Sequence, residues 1–166
     1  PEEFRKPIIL VGGHRTGESI AHSLPREELL VIDFDPDVIH ELRKHNFVCL
    51  FGDMTDLEVL ERANFRTARL IISTSPDLED NLTLLSELSR EETRPKIILR
   101  AETEKEAEIL YTNGADYVLL PNFTAGKLSP KKKLRELLLA PPPGRRNYLW
   151  KTGRHCFGSR PSTPLI

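Results

Sequence analysis

The sequence has few of the residues that mark secreted, metal-binding or membrane-spanning proteins. Two cysteines, Cys49 and Cys156, are present among 166 residues, too few for a disulfide framework and in no zinc-binding pattern. No stretch approaches the roughly 20 consecutive apolar residues that a membrane span needs, and no charged-then-apolar signal segment opens the chain. With 39% hydrophobic residues and a net charge of −1, the composition indicates a soluble protein of a reducing, cytoplasmic compartment.

Six short apolar runs alternate with helical patterns along the chain. The runs are nearly continuous, which is typical of strands that are covered by helices on both faces. The predicted strands are Pro7–Val11, Leu29–Ile32, Phe47–Phe51, Leu70–Ile72, Ile97–Leu99 and Tyr117–Leu120. The predicted helices are Arg15–Leu24, Asp37–His45, Asp56–Ala63, Asp80–Ser89 and Glu104–Asn113. This order predicts an α/β fold, a Rossmann-like doubly wound parallel sheet of six strands with helices on both faces.

Small, hydroxyl and charged residues gather where these runs end, and the first run leads into Gly12-Gly13-His14-Arg15-Thr16-Gly17. This is the strand–turn–helix position of the dinucleotide-binding fingerprint Gly-x-Gly-x-x-Gly, whose helix start would face a phosphate. Asp33, 21 residues after Gly12, would accept hydrogen bonds from ribose hydroxyls. Because an acid there would repel a 2′-phosphate, NAD or an adenosine nucleotide is preferred to NADP.

One position departs from the fingerprint, since His14 replaces its middle glycine. A side chain there would crowd a diphosphate, although Gly13 adds freedom and Arg15 supplies a cation. A second interpretation stays open, in which the glycine turn serves packing alone and Asp33 merely caps. We predict no metal site at His14, because no second histidine or cysteine follows at helical spacing.

Four further stretches carry a family resemblance: Val31–Asp37 (VIDFDPD), Phe51–Ala63 (FGDMTDLEVLERA), Ile72–Leu82 (ISTSPDLEDNL) and Asn113–Pro121 (NGADYVLLP). Together with the glycine turn, they make residues 6–128 resemble the nucleotide-binding regulatory domains of potassium channels and Kef/Trk-type transporters. These are called RCK, KTN or TrkA-N domains. The chain looks most similar to those of Kef-like (CPA2) cation:proton antiporters.

The resemblance implies a non-enzymatic regulatory domain at the cytoplasmic face of the cell membrane. Such a domain would form a homodimer and gate a potassium or cation:proton transporter in the same polypeptide or a partner subunit. Its regulatory ligand would be NAD(H) or an adenine nucleotide (AMP, ADP or ATP), and no nucleic acid partner is expected. By position, phosphates would lie at Gly12, Gly13, His14, Arg15, Thr16 and Gly17, and the ribose at Asp33. The adenosine would lie near Phe34 or Asp35, and against Asp53, Met54 and Thr55; the pocket would be closed by Ser73, Thr74 and Arg100.

Charge divides the chain into two parts. Residues 1–130 hold 15 Lys and Arg against 24 Asp and Glu, whereas residues 131–166 hold 9 against one. We predict a linker at 1–6, a Rossmann-like nucleotide-binding domain at 7–128, a C-terminal helix at 129–140 and a disordered Pro/Arg-rich tail at 141–166. Two alternatives remain: a Rossmann dimerisation scaffold that binds no ligand, and a small NAD-dependent oxidoreductase. The oxidoreductase is disfavoured because such an enzyme needs a second domain to hold its substrate.

Overall fold

The computed structural model describes residues 4–89 and 94–120. The predicted C-terminal helix at 129–140 and the tail at 141–166 lie outside the described residues. So do residues 1–3 of the predicted linker and residues 121–128 of the predicted nucleotide-binding domain. Within the two described ranges, no helix is both long and apolar enough to cross a bilayer.

The described chain contains a six-stranded parallel sheet, which confirms the predicted fold class. The strands follow the order β3-β2-β1-β4-β5-β6. Strand order therefore reverses between β1 and β4, and this is where a doubly wound sheet opens a crevice for ligands. The strands are β1 (Ile8–Val11), β2 (Leu29–Asp33), β3 (Val48–Phe51), β4 (Leu70–Ser73), β5 (Lys96–Arg100) and β6 (Tyr117–Leu119).

In the described ranges, five α-helices lie between the strands, as predicted, whereas the 3-10 helices at Arg26–Glu28 and Phe65–Thr67 were not predicted. Successive side chains of a strand point to opposite faces. In β1, for example, Ile8 and Leu10 join one buried cluster and Ile9 and Val11 the other. The α-helices are α1 (Arg15–Ala21), α2 (Pro36–Lys44), α3 (Leu57–Arg62), α4 (Leu78–Leu88) and α5 (Glu104–Thr112).

The two faces of the sheet are covered by different helices. Ile20 of α1 and Leu42 of α2 pack in one cluster, whereas Leu60 of α3, Leu84 of α4 and Leu110 of α5 pack in the other. Because both faces of the sheet are buried, neither the odd nor the even positions of a strand can be polar. This explains why the sequence shows continuous apolar runs rather than alternation.

Helix ends follow capping chemistry. Asp35 and Asp56 cap α2 and α3, each accepting a backbone N–H two residues on. The predicted start of α4 at Asp80 is wrong, because Asp77 caps that helix and it begins at Leu78. Helix α1 ends at Ala21, three residues before its predicted end; Pro25 disfavours helical conformation at Leu24, the last residue of the prediction.

Candidate functional site

A cavity of about 600 Å³ opens at the carboxyl ends of the central strands, on both sides of the β1–β4 reversal. This is a typical size for a small-molecule or cofactor site. Its walls come from the turn after β1, the ends of β2, β3 and β5, and the β4–α4 loop. The lining residues are Val11, Gly12, His14, Arg15, Thr16, Ile32, Asp33, Phe34, Gly52, Asp53, Met54, Thr74, Ser75, Pro76, Asp80 and Arg100.

The turn after β1 needs glycine at two of its positions. Gly12 has a φ of +87°, and a Cβ there would overlap the Thr74 hydroxyl. A Cβ on Gly17 would overlap the carbonyl oxygen of Gly12, so α1 can approach the turn only with glycine at this position. The first and last glycines of the fingerprint therefore serve the tight turn and the close packing that its pattern predicts.

His14 occupies the middle position without backbone strain. It is the N-cap of α1 with φ −66° and ψ −177°, an extended conformation open to any residue. Its imidazole lines the cavity, is 65% exposed, and places Nε2 3.6 Å from Asp35 Oδ2. The neighbouring Gly13 packs instead against α2, where a Cβ would lie 2.7 Å from Leu42 Cδ1. The side chain at position 14 is thus part of the cavity wall.

The Asp33 carboxylate binds the backbone of the glycine turn, a role that the sequence does not indicate. It is only 3% exposed and lines the cavity. Its Oδ2 accepts the Gly13 N–H at 2.6 Å, and its Oδ1 accepts the Asp35 N–H at 2.8 Å. An ionised carboxylate offers about four lone-pair positions, so acceptor capacity remains for a ligand hydroxyl. Asp33 therefore holds the glycine turn in place from the neighbouring strand.

Thr74 holds the same turn from the other side. It follows β4, and its N–H donates to the Val11 carbonyl at 2.9 Å. Its hydroxyl lies 3.1 Å from the carbonyl oxygens of both Val11 and Gly12. Because β2 and β4 flank β1, the backbone of the turn is fixed by side chains from both directions.

One wall of the cavity is acidic. Asp53 follows β3, and its Oδ1 accepts bonds from the N–H and the hydroxyl of Thr55, each at 2.8 Å. Asp80 lies in the first turn of α4, where burial raises the pKa of its carboxyl. The negative charges of Asp77 and Asp53 raise that pKa further, and a hydrogen bond from Ser75 opposes the shift. This wall disfavours additional negative charge on a ligand.

Arg100 contributes a cation at the end of β5. Its Nη2 lies 2.6 Å from Glu102 Oε1. Its carbonyl accepts a bond from the Asn81 amide at 3.1 Å, and the same amide donates to the Ser75 carbonyl at 3.0 Å. Asn81 is fully buried and ties two parts of the wall together. Sequence reasoning missed it, although a polar side chain among the buried leucines of α4 was the available signal.

Ten of the fifteen predicted site residues line the cavity, and the other five each contact a lining residue. Gly13 bonds Asp33, Gly17 packs on Gly12, Asp35 lies beside His14, Thr55 bonds Asp53, and the Ser73 hydroxyl lies 3.8 Å from Met54 Sδ. The predicted list omitted six lining residues, namely Val11, Ile32, Gly52, Ser75, Pro76 and Asp80. Among residues 4–89 and 94–120, no group of three or more His, Cys, Asp or Glu side chains is placed to hold a metal ion.

The fold and the cavity define a Rossmann-like domain with a ligand-sized crevice at the reversal of its strand order. The family model of the TrkA-N domain matches residues 8–121. The chain therefore belongs to the TrkA-N family, as the resemblance in its motifs predicts.

Solved structures of three relatives share this fold. The TrkA-N domain of the inner membrane protein YbaL from Escherichia coli is 22% identical with a TM-score of 0.64, over 79% of this chain and 93% of that one. GsuK bound to ADP is 28% identical with a TM-score of 0.59, over 71% of this chain and 31% of that one. The GsuK channel bound to NAD is 26% identical with a TM-score of 0.57, over 73% of this chain and 22% of that one. The Kef C-terminal domain of Shewanella denitrificans in its AMP-bound form is 20% identical with a TM-score of 0.60, over 70% of this chain and 71% of that one. This chain thus spans less than a third of the GsuK chains that it matches.

Proposed function

We propose that this domain binds an adenine nucleotide in the β1–β4 cavity and regulates a potassium or cation:proton transporter at the cytoplasmic face of the membrane. The observation that carries the proposal is the braced glycine turn, with Asp33 on one flank, opening into a cavity of about 600 Å³ in a TrkA-N domain. The GsuK structures with ADP and NAD, and the AMP-bound Kef domain of the same fold, support an adenine nucleotide as the ligand.

The cavity walls suggest how the ligand lies. The phosphate would face the turn at Arg15 and Thr16, where the first N–H groups of a helix have no partner within it. The ribose would donate hydroxyl bonds to Asp33, and the base would lie toward Phe34 and Met54. Each of these roles matches the chemistry of the group assigned to it.

We further propose that mononucleotides bind more tightly than NAD(H) or ATP. The His14 side chain occupies wall space that a glycine would leave to a diphosphate. Asp53 and Asp80 make another part of the cavity wall acidic, and burial already disfavours ionisation of the Asp80 carboxyl. A single phosphate at the turn satisfies both constraints, whereas a longer phosphate chain extends toward either the imidazole or the carboxylates.

Regulation would then follow from population shift. A ligand changes the balance between two arrangements of a homodimer only by as much as its affinities for the two differ. We propose that the domain dimerises and that this difference reaches the transporter in the same polypeptide or a partner subunit. The similarity to the NAD-bound GsuK channel and to the AMP-bound Kef C-terminal domain supports a role as the nucleotide-binding part of a transport protein.

Calorimetric titration of the full chain with AMP, ADP, ATP, NAD and NADH tests ligand binding, with guanosine monophosphate as the control for the base. We expect AMP to bind more tightly than NADH and than the guanine nucleotide. Absence of binding by every adenine compound would favour the ligand-free scaffold, and NADH oxidation with a carbonyl substrate would favour an oxidoreductase. The regulatory part is tested by potassium flux through the intact transporter in vesicles, with and without the nucleotide that binds.

A further inference from the structure

The Arg100 guanidinium has an incomplete set of partners. It lines the cavity and is 23% exposed, with Nη2 held by Glu102 Oε1 at 2.6 Å. Its Nε is buried and has no acceptor among the residues that the structure describes. An arginine side chain presents a fork of donors that suits the two oxygens of a phosphate or carboxylate. Among the described residues, the acidic partner of the guanidinium is Glu102, which contacts Nη2.

The main chain at Arg100 is held firmly while its side chain is not. The Asn81 amide fixes the Arg100 carbonyl from within the core. The amide oxygen of Asn81 is also buried and without a donor in the described part of the chain. Unpaired buried groups cost free energy and are rare in folded proteins. The end of β5 therefore has a fixed backbone beside two buried side-chain atoms, Arg100 Nε and Asn81 Oδ1, that lack partners in the described part of the chain.

The partner that holds Arg100 is itself easily displaced. The Glu102 side chain is 43% exposed, so water screens its side of the pair, and an ion pair that water screens contributes little net free energy. Its backbone N–H is bonded to Glu106 Oε2 at 2.9 Å, so the main chain stays in place if the side chain leaves. An anion entering the cavity would compete with one exposed carboxylate for the guanidinium.

We propose that Glu102 is an internal competitor for Arg100 and thereby sets how strongly the cavity selects for anionic ligands. When the phosphate of a nucleotide lies at the glycine turn of the same cavity, the guanidinium exchanges Glu102 Oε1 for a phosphate oxygen, and Nη2 donates to that oxygen. Glu102 then lowers the affinity for AMP and leaves the affinity for uncharged adenosine unchanged. The inference rests on the proposed nucleotide site.

The test compares AMP with adenosine in five forms of the full chain: wild type, Glu102→Gln, Arg100→Gln, the double variant and Glu108→Gln. Glu108 is an exposed acid of α5 with no contact to Arg100 among the described interactions, so its variant removes the same charge as a matched control. At low ionic strength, we expect Glu102→Gln to bind AMP about two- to fivefold more tightly, the scale of an exposed ion pair. Adenosine should bind equally to wild type and to Glu102→Gln. Arg100→Gln should weaken AMP binding, and in the double variant the gain in AMP affinity from Glu102→Gln should disappear.

An equal gain in Glu108→Gln, or a gain that persists without Arg100, would overturn the inference. A wild type that binds neither AMP nor NADH would instead refute the proposed function. A second measurement still tests whether Glu102 competes for Arg100 in that case. Inorganic phosphate is titrated into the protein, and the NMR signal of the Arg100 Nε–H is monitored. The signal is assigned by its absence in the Arg100→Gln variant. We expect a shift at a lower phosphate concentration in Glu102→Gln than in wild type, and identical titrations would refute competition.

Discussion

Replacing Asp33 with asparagine should lower both the stability of the domain and its affinity for nucleotides. The buried carboxylate accepts the N–H groups of Gly13 and Asp35, one on each oxygen. Asparagine keeps one acceptor oxygen and turns the other into a donor, so one N–H meets another N–H and loses its partner. Hydrogen bonds to charged groups contribute about 1.5–3 kcal/mol, and an unsatisfied buried donor costs about 1–3 kcal/mol. We therefore expect the free energy of unfolding to fall by about 1.5–3 kcal/mol.

The loss in binding should come on top of this. The loss of charged acceptors for the ribose hydroxyls should weaken AMP binding by roughly 1–3 kcal/mol, or about five- to 150-fold in Kd. Urea denaturation measures the first quantity, and calorimetry on the variant, after circular dichroism shows that it is folded, measures the second.

Asp56→Asn is the matched control for Asp33→Asn. Asp56 is exposed and caps α3 through a single bond from the Glu58 N–H, and asparagine caps a helix about as well as aspartate. This control removes the same charge and should leave both quantities nearly unchanged. If Asp33→Asn behaves like the control in both assays, the bracing role is refuted. If stability falls while affinity holds, Asp33 braces the turn and does not contact the ligand.

Three further substitutions test separate parts of the site. His14→Gly should raise the affinity for NADH more than that for AMP in parallel titrations, and an unchanged ratio would show that the imidazole does not crowd a diphosphate. Gly17→Ala should destabilise the domain by several kcal/mol in urea denaturation, about the scale of a severe core substitution, because its Cβ would overlap the Gly12 carbonyl; an unaffected midpoint would mean that the turn moves freely. Asp80 has a raised pKa in the fold, so stability falls as pH rises from about 4, the ordinary carboxyl pKa, through the raised value. Asp80→Asn should remove this loss, and the difference in unfolding free energy between variant and wild type should grow over that window and then level off.

Much of the fold was accessible from the sequence because each strand is buried on both faces. A run such as Ile8–Val11 has no polar residue on either face of the strand. Its length, and its position between helical patterns, leave few alternatives to a parallel strand. The lining residues near the carboxyl ends of strands, such as Asp33 at the end of β2 and Asp53 two residues after β3, were accessible for a related reason. The carboxyl ends of parallel strands meet at one edge of the sheet, so residues that are distant in sequence converge there.

Two of the missed residues, Asp80 and Asn81, depend on where helix α4 starts. Asp77 caps α4 and begins it at Leu78, two residues before the predicted start at Asp80. Because successive helical residues point in different directions around the axis, this offset decides that Asp80 faces the cavity and Asn81 the core. The bracing bonds of Thr74 were missed for another reason, since they depend on β4 lying beside β1, and the sequence alone does not specify strand order.

The way in which the turn is held also indicates where a binding signal can leave the domain. Asp33 and Thr74 fix the backbone between Val11 and Gly13 from both neighbouring strands. A close-packed backbone of this kind does not deform gradually, because a small shift would break several short bonds at once. The cation at the end of β5 differs, since Arg100 is held by one exposed carboxylate and carries a buried nitrogen without a partner in the described structure. We therefore expect ligand-dependent change to be concentrated at the β5 end of the cavity rather than at the glycine turn.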